Sequence, residues 1–205
     1  DQTETLPETA EANIQAAQDK TAVTSAESNF TYRKDSGKAI ITGYTGTDST
    51  VVIPSSIDGF EVTEIAGGAF RSSTMESVTF PDTLTWIGDS AFAKCDSLTE
   101  VRLPATDKFK HMGTYAFENC ANLKKIWVPE DFKPSYMVAP FYQCAQLKEV
   151  EFEEGITEIP SSLMKSCPGI ESIVIPDTVT TIGSEAFSNC ENLKSVTLPS
   201  NLTEI

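Results

Sequence analysis

The sequence predicts an α/β repeat solenoid: a right-handed superhelix with one parallel β-sheet, little regular helix and a β-hairpin cap at its N-terminal end. Three observations predict it. A pattern of 23 to 25 residues recurs from position 75 onward. Most recurrences hold one short alternating apolar stretch that closes on proline. A coil that short cannot bury its own apolar edge, so stacked coils must bury one another's.

The elements follow in chain order. Residues 1–28 contain six acids, one lysine and few large apolar groups, which predicts an acidic flexible linker or tail. A helix over residues 8–20 would be marginal on its own. Residues 29–74 read as a hairpin cap and a first coil. Stretches 30–34 and 38–44 are strand-like, and Asp35-Ser36-Gly37 supplies the turn. Such a hairpin would cover the exposed edge of the first coil. Residues 75–205 are repeats, the last one incomplete.

Three units show the pattern. Residues 75–97 read MESVTFPDTLTWIGDSAFAKCDS, residues 98–122 read LTEVRLPATDKFKHMGTYAFENCAN, and residues 170–192 read IESIVIPDTVTTIGSEAFSNCEN. Units begin at Met75, Leu98, Leu123, Leu147, Ile170 and Leu193, spaced 23, 25, 24, 23 and 23 residues apart. The L-x-x-V-x-L segment is a short strand with one buried face. Proline follows at positions 54, 81, 104, 129, 176 and 199, where it cannot donate a ladder bond and so ends the strand. The fifth unit departs, with Glu153 in the proline column. Phe70, Phe92, Phe117, Phe141, Met164 and Phe187 form a column expected to build a continuous spine. Burial of each Phe is worth about 2–3 kcal/mol. Residues 193–205 match only the start of a unit, so the native chain is expected to continue or to close by another contact. The opening at Asp1, without methionine or signal peptide, reads as a processed or recombinant start.

The I-G-x-x-A-F-x-x-C run at 87–95 and 182–190 resembles the bacterial BspA-like, or treponemal-type, leucine-rich repeat. The resemblance covers roughly residues 30–205, and the segment 30–70 is similar to the usual N-terminal entry of such proteins. It implies a leucine-rich-repeat fold and a cell-surface protein of a host-associated microbe. It also implies binding to host extracellular-matrix proteins or to other cells.

Composition narrows the function independently. The chain has 205 residues, 15 Lys plus Arg against 30 Asp plus Glu, and a net charge of −15. That balance argues against nucleic acid and against an anionic membrane face. No run of 18 apolar residues predicts a transmembrane segment. The single His111 removes most histidine-based catalysis and multi-histidine metal sites.

Cys95, Cys120, Cys144, Cys167 and Cys190 occupy one column, with Ser73 in that place in the first coil. They read as small buried residues that close each coil. An odd count and parallel side chains argue against disulfides, and inward-facing thiols do not converge on zinc. His111 is expected to be exposed and unpartnered. The run Glu149, Glu151, Glu153, Glu154 reads as a solvated face, lacking the Asp, Asn and glycine spacing of calcium loops. Two exposed carboxylates on a strand do not acquire the raised pKa of a glycosidase acid. No catalytic residue, metal or cofactor is expected, and the protein is read as no enzyme. Asn29 and Asn201 match the glycosylation sequon, which matters only in a eukaryotic secretory host.

Solenoids bind through the concave sheet. Its outward positions read Ser77/Thr79, Glu100/Arg102, Lys125/Trp127, Glu149/Glu151, Ser172/Val174 and Ser195/Thr197. At about 4.8 Å between strands, Glu100, Lys125 and Glu149 should stack, with Arg102, Trp127 and Glu151 beside them. Two readings follow. In one, Lys125 bridges two glutamates and Arg102 covers the Trp127 ring. In the other, these six residues are a ligand-binding patch centred on tryptophan. Trp86 lies in a second outward column as a weaker candidate. The expected function is a non-catalytic, adhesin-like module binding a protein or glycoprotein ligand, extracellular or on the cell surface. The alternative is a structural spacer that displays other domains of a longer chain.

Overall fold

The computed structural model describes residues 25–205. They wind as a β-solenoid of seven coils, at 49–74, 75–97, 98–122, 123–146, 147–169, 170–192 and 193–205. Regular helix among the described residues is one short 3-10 turn, Glu27–Asn29. The expected acidic linker lies largely outside the described residues. Its last four residues lie inside them: Ser25 is 5% exposed, and its hydroxyl accepts the Val52 amide at 3.2 Å.

The hairpin forms as expected. Phe30–Asp35 pairs antiparallel with Lys38–Tyr44, and Asp35 faces Lys38 across a two-residue turn. Ser36 and Gly37 sit at φ 49° and 78°, the left-handed pair that a tight hairpin with native strand twist requires. Lys38–Tyr44 then pairs parallel with Phe60–Ile65 of the first coil. Phe30 and Tyr44 lie against Phe70 at ring-centroid distances of 6.4 and 5.6 Å, closing the apolar end of the spine.

Each coil carries two strand positions. The L-x-x-V-x-L segments give Thr50–Val52, Ser77–Thr79, Glu100–Arg102, Lys125–Val128, Glu149–Phe152, Ser172–Val174 and Ser195–Thr197. All end one or two residues before proline, except Glu149–Phe152. There Glu153 replaces proline, and its amide donates to the Val128 carbonyl at 2.9 Å. A second, parallel set accompanies this sheet: Phe60–Ile65, Trp86–Ile87, His111–Met112, Tyr136–Met137, Glu158–Ile159 and Thr181–Ile182. Sequence reading places one sheet; the structure has two sets of strands, hydrogen-bonded in five segments, because the x-I-G step is also extended. At two residues, that step is too short to show alternation.

The core lies between the two strand sets. Ile65, Ile87, Met112, Met137, Ile159 and Ile182 point inward from one, and Val51, Val78, Val101, Ile126 and Ile173 from the other. The Phe column forms the expected spine. Phe70, Phe92, Phe117 and Phe141 stack at centroid spacings of 4.8, 4.9 and 5.4 Å. The spine sits in a tight turn with two left-handed residues four apart, as at Ser90 and Lys94 (φ 50° and 59°) and Tyr115 and Asn119 (φ 57° and 53°). For a non-glycine residue that conformation costs about 1–2 kcal/mol. It is held because both amides then donate to the next coil: Ser90 to Thr114 and Lys94 to Glu118, at 3.0 and 2.8 Å.

Candidate functional site

The first sheet brings the six predicted residues together. Parallel pairing sets Lys125 beside Glu100 and Glu149, and Trp127 beside Arg102 and Glu151. The two expected stacks therefore exist. Their bonding differs in detail. Lys125 reaches Glu149 at 3.7 Å and bonds Glu151 more closely, diagonally across the sheet, while Glu100 stays outside the pair. The adjacent ammonium holds the Glu151 carboxyl below the usual carboxylate range. Arg102 reaches across two coils to Glu153, at 2.8 Å.

Trp127 sits at the centre, half-buried. The Arg102 guanidinium lies 5.0 Å from its ring centroid and the Lys125 ammonium 4.5 Å. Two cations within reach of one ring form a pair of cation–π contacts. The ion pairs are exposed, so each contributes about 0–1 kcal/mol to stability. Side chains on both flanks are shorter: Ser77 and Thr79 before, and Ser172, Val174, Ser195 and Thr197 after, with Val174 67% exposed. The patch is a raised charged ridge with an indole at its centre and low shoulders. Sequence spacing found six of its members. Glu153 is legible in the sequence as the break in the proline column and as part of the acidic run, but not as a partner of Arg102, because register names lateral neighbours and not the diagonal reach of an arginine.

The second sheet carries a row that sequence reading resolved only in part. The outward residues Trp86, His111 and Tyr136 are in register. Their rings stack nearly parallel, at 3.3 Å for Trp86–His111 and 4.6 Å for His111–Tyr136. This corrects the expectation for His111: it is half-buried and has ring partners on both faces. Its burial pulls the imidazole pKa below the ordinary 6.5, and Asp89 partly opposes this. Trp86 and Tyr136 remain 42% and 45% exposed. The Thr114 hydroxyl lies 3.1 Å from the Tyr136 hydroxyl, and Asp89 accepts the Thr114 amide at 2.7 Å.

The thiols face inward, as their column implies. Cys95, Cys120, Cys144 and Cys167 are buried and Cys190 is half-buried; all are free. Cys95, Cys120, Cys144 and Cys190 donate to the carbonyls of Phe70, Phe92, Phe117 and Met164 in the preceding coil, at 3.0–3.2 Å. Burial pushes the Cys95 and Cys167 pKa values up to about 12. Such thiols are poor nucleophiles and poor metal ligands. A recess of about 880 Å³ opens at the C-terminal end, lined by Glu158, Thr181, Phe187, Glu204 and Ile205 among others. No helix among the described residues is long and apolar enough to cross a membrane.

Coils of this length, with a proline-closed strand, a stacked Phe spine and a Cys that bonds the previous coil, define a leucine-rich-repeat solenoid. The sequence matches the BspA type leucine rich repeat region in six copies, over residues 49–137 and 137–205. The chain belongs to that family, whose architecture fits a protein-interaction module. It is similar to the T. pallidum leucine rich repeat protein, at 28% identity and TM-score 0.69, covering 88% of this chain and 85% of that one. It is also similar in fold to a leucine-rich repeat protein from Bacteroides ovatus ATCC 8483. There the identity is 22% and the TM-score 0.53, over 85% of this chain and 53% of that one. No curated protein matches it.

Proposed function

We propose that the chain is a non-catalytic, adhesin-like binding module of a secreted or surface-displayed microbial protein. Its ligand is a protein or glycoprotein, such as a component of the host extracellular matrix. It engages the ridge of Glu100, Arg102, Lys125, Trp127, Glu149 and Glu151. One observation carries this reading: a half-exposed tryptophan in contact with two cations, between shoulders of Ser, Thr and Val. Trp and Arg are the residue types that anchor interfaces, and a ring already fixed loses little entropy on binding. The mixed charge suits a partner of mixed charge, read through orientation more than through net attraction. The family supports a surface setting.

The test is surface plasmon resonance of residues 1–205 against a panel of purified extracellular-matrix proteins. Saturable binding that Trp127→Ala weakens at least tenfold is expected. Wild-type affinity retained by that variant, for every matrix protein captured, overturns the site.

A spacer role is the second reading, favoured by one observation: Lys125 and Arg102 already have carboxylate partners within the sheet. It predicts no saturable binding by the wild-type chain.

A further inference from the structure

Rows of hydrogen bonds join successive coils, and at one junction the spine-turn rows and both sheets are interrupted together. In the spine turn, the amides of Phe70, Phe92, Phe117 and Met164 donate to the next coil at 2.7–2.8 Å. The row at Gly68, Ser90, Tyr115 and Ser162 does the same at 3.0–3.1 Å. The equivalent amides of Ala139 and Phe141 find no acceptor among the described residues, although both residues are buried. Ahead of the second sheet, Thr85, Lys110, Ser135, Thr180 and Thr203 each donate to the coil before, while Thr157 does not. Ahead of the first, Lys124, Lys148 and Lys194 donate and Glu171 does not. Both sheets stop there together; the first has one other gap, between Ser77–Thr79 and Glu100–Arg102, but the second sheet and the spine-turn bonds run on across that interface. Tyr136–Met137 does not pair with Glu158–Ile159, nor Glu149–Phe152 with Ser172–Val174.

Little directional bonding remains across the junction. The Gln143 amide donates to Ser166 at 3.1 Å, and Lys148 faces Glu171 at 3.7 Å. The Cys167 thiol turns from the usual spine carbonyl to that of Cys144, at 3.7 Å. Apolar packing through Phe141, Leu147, Ile156, Leu163 and Ile170 spans the gap. That attraction is non-directional and permits sliding where a ladder does not.

The cause is local sequence. From the inward residue of the second sheet to the spine, other coils take five steps, as from Ile87 to Phe92; the fourth takes four, Met137 to Phe141. Pro160 stands where Gly88, Gly113 and Gly183 donate to the carbonyls of Ile65, Ile87 and Ile159, and proline has no amide hydrogen to give. The chain crosses the junction at 154–156, where Gly155 adopts φ 96° against the Glu130 carboxylate.

We infer that this junction is an articulation built into the solenoid. Residues 25–153 form one cooperative block and residues 157–205 a second, which swings or opens against the first. The charged ridge lies wholly on the first block, so the second sets how far the binding face extends beyond Glu151.

Hydrogen exchange read by mass spectrometry on the full chain tests this. Ala139, Phe141 and Ser172–Val174 are expected to exchange at least tenfold faster than Tyr115, Phe117 and Lys125–Val128. Protection should step down at the junction and stay level through residues 157–192. A smooth decline towards the C-terminus, or uniform protection across the junction, overturns the articulation. Phe187→Ala should raise exchange throughout 157–205 and leave 75–128 unchanged. A rise in both stretches also overturns it.

Discussion

Residues 75–128 and residues 157–205 are built from the same repeat, yet they are held differently. In the first stretch, Phe92 and Phe117 stack at 4.9 Å, and both spine amides find acceptors in the next coil. The inward columns there are covered, apart from a half-buried Phe80. In the second stretch the spine begins with Met164 and ends with a half-buried Phe187, and Val196 and Leu198 stand 39% and 51% exposed. A solenoid's stability is the sum of its coils and of the interfaces between them. The contrast teaches that coils of one repeat are held unequally, both where an interface loses its ladder and where no following coil covers the apolar edge.

The largest expected break in that contrast is in the spine. Phe92→Ala removes a fully buried ring with partners on both faces and should cost about 3–5 kcal/mol. The matching truncation at Phe187 should cost about half as much, because that ring is only half-buried. Urea unfolding followed by circular dichroism reads both. Equal losses would mean that the two stretches are equally packed.

Thiol labelling should sharpen the comparison by a smaller factor. Cys95 and Cys167 have similarly raised pKa values, so thiolate chemistry alone does not separate them. Opening does. With a thiol reagent under native conditions, Cys190 should react first and Cys167 next. Both should precede Cys95, Cys120 and Cys144 by about tenfold, a difference of about 1.4 kcal/mol in the reactive state. Peptide mapping by mass spectrometry gives the order. Five equal rates would mean that the chain opens as one unit.

The same contrast marks what the sequence made legible. The spine column and the strand-ending prolines were readable because each is a side-chain identity repeated at fixed spacing. Lateral neighbours on the ridge were readable because parallel strands carry that spacing into space. Lys125–Glu151 and Arg102–Glu153 were not, since long side chains choose among several carboxylates after the backbone is set. The left-handed residues of the spine turn left no mark. Ser90, Lys94, Tyr115 and Asn119 hold a conformation that glycine usually announces, and inter-coil bonds stabilise it in its place. The junction did leave a mark, in the short step from Met137 to Phe141 and in Pro160. Both are departures from the repeat, and alignment by similarity passes over departures.

The smallest expected effect is a pH dependence confined to one side of the junction. The chain has one histidine, and it lies between Trp86 and Tyr136 in the first stretch. Burial lowers its folded pKa, so the unfolded chain binds the proton first as pH falls. Its contribution to stability is therefore complete above pH 6.5 and is lost as pH drops towards the folded value. Further acidification reaches carboxylates on both sides of the junction: Glu61 and Glu151 within residues 25–153, and Glu171 within residues 157–205. Lysine partners hold each of them below the ordinary range. Their stabilisation is present above the ordinary carboxylate value and is lost as pH falls through the lowered one. Exchange of residues 86–137 should thus begin to rise just below pH 6.5, after correction for intrinsic rates, while that of 157–192 holds steady until the carboxylate range. His111→Gln should abolish the early rise and leave the later one. If both stretches respond together near pH 6.5, the coupling across the junction is stronger than its missing bonds imply.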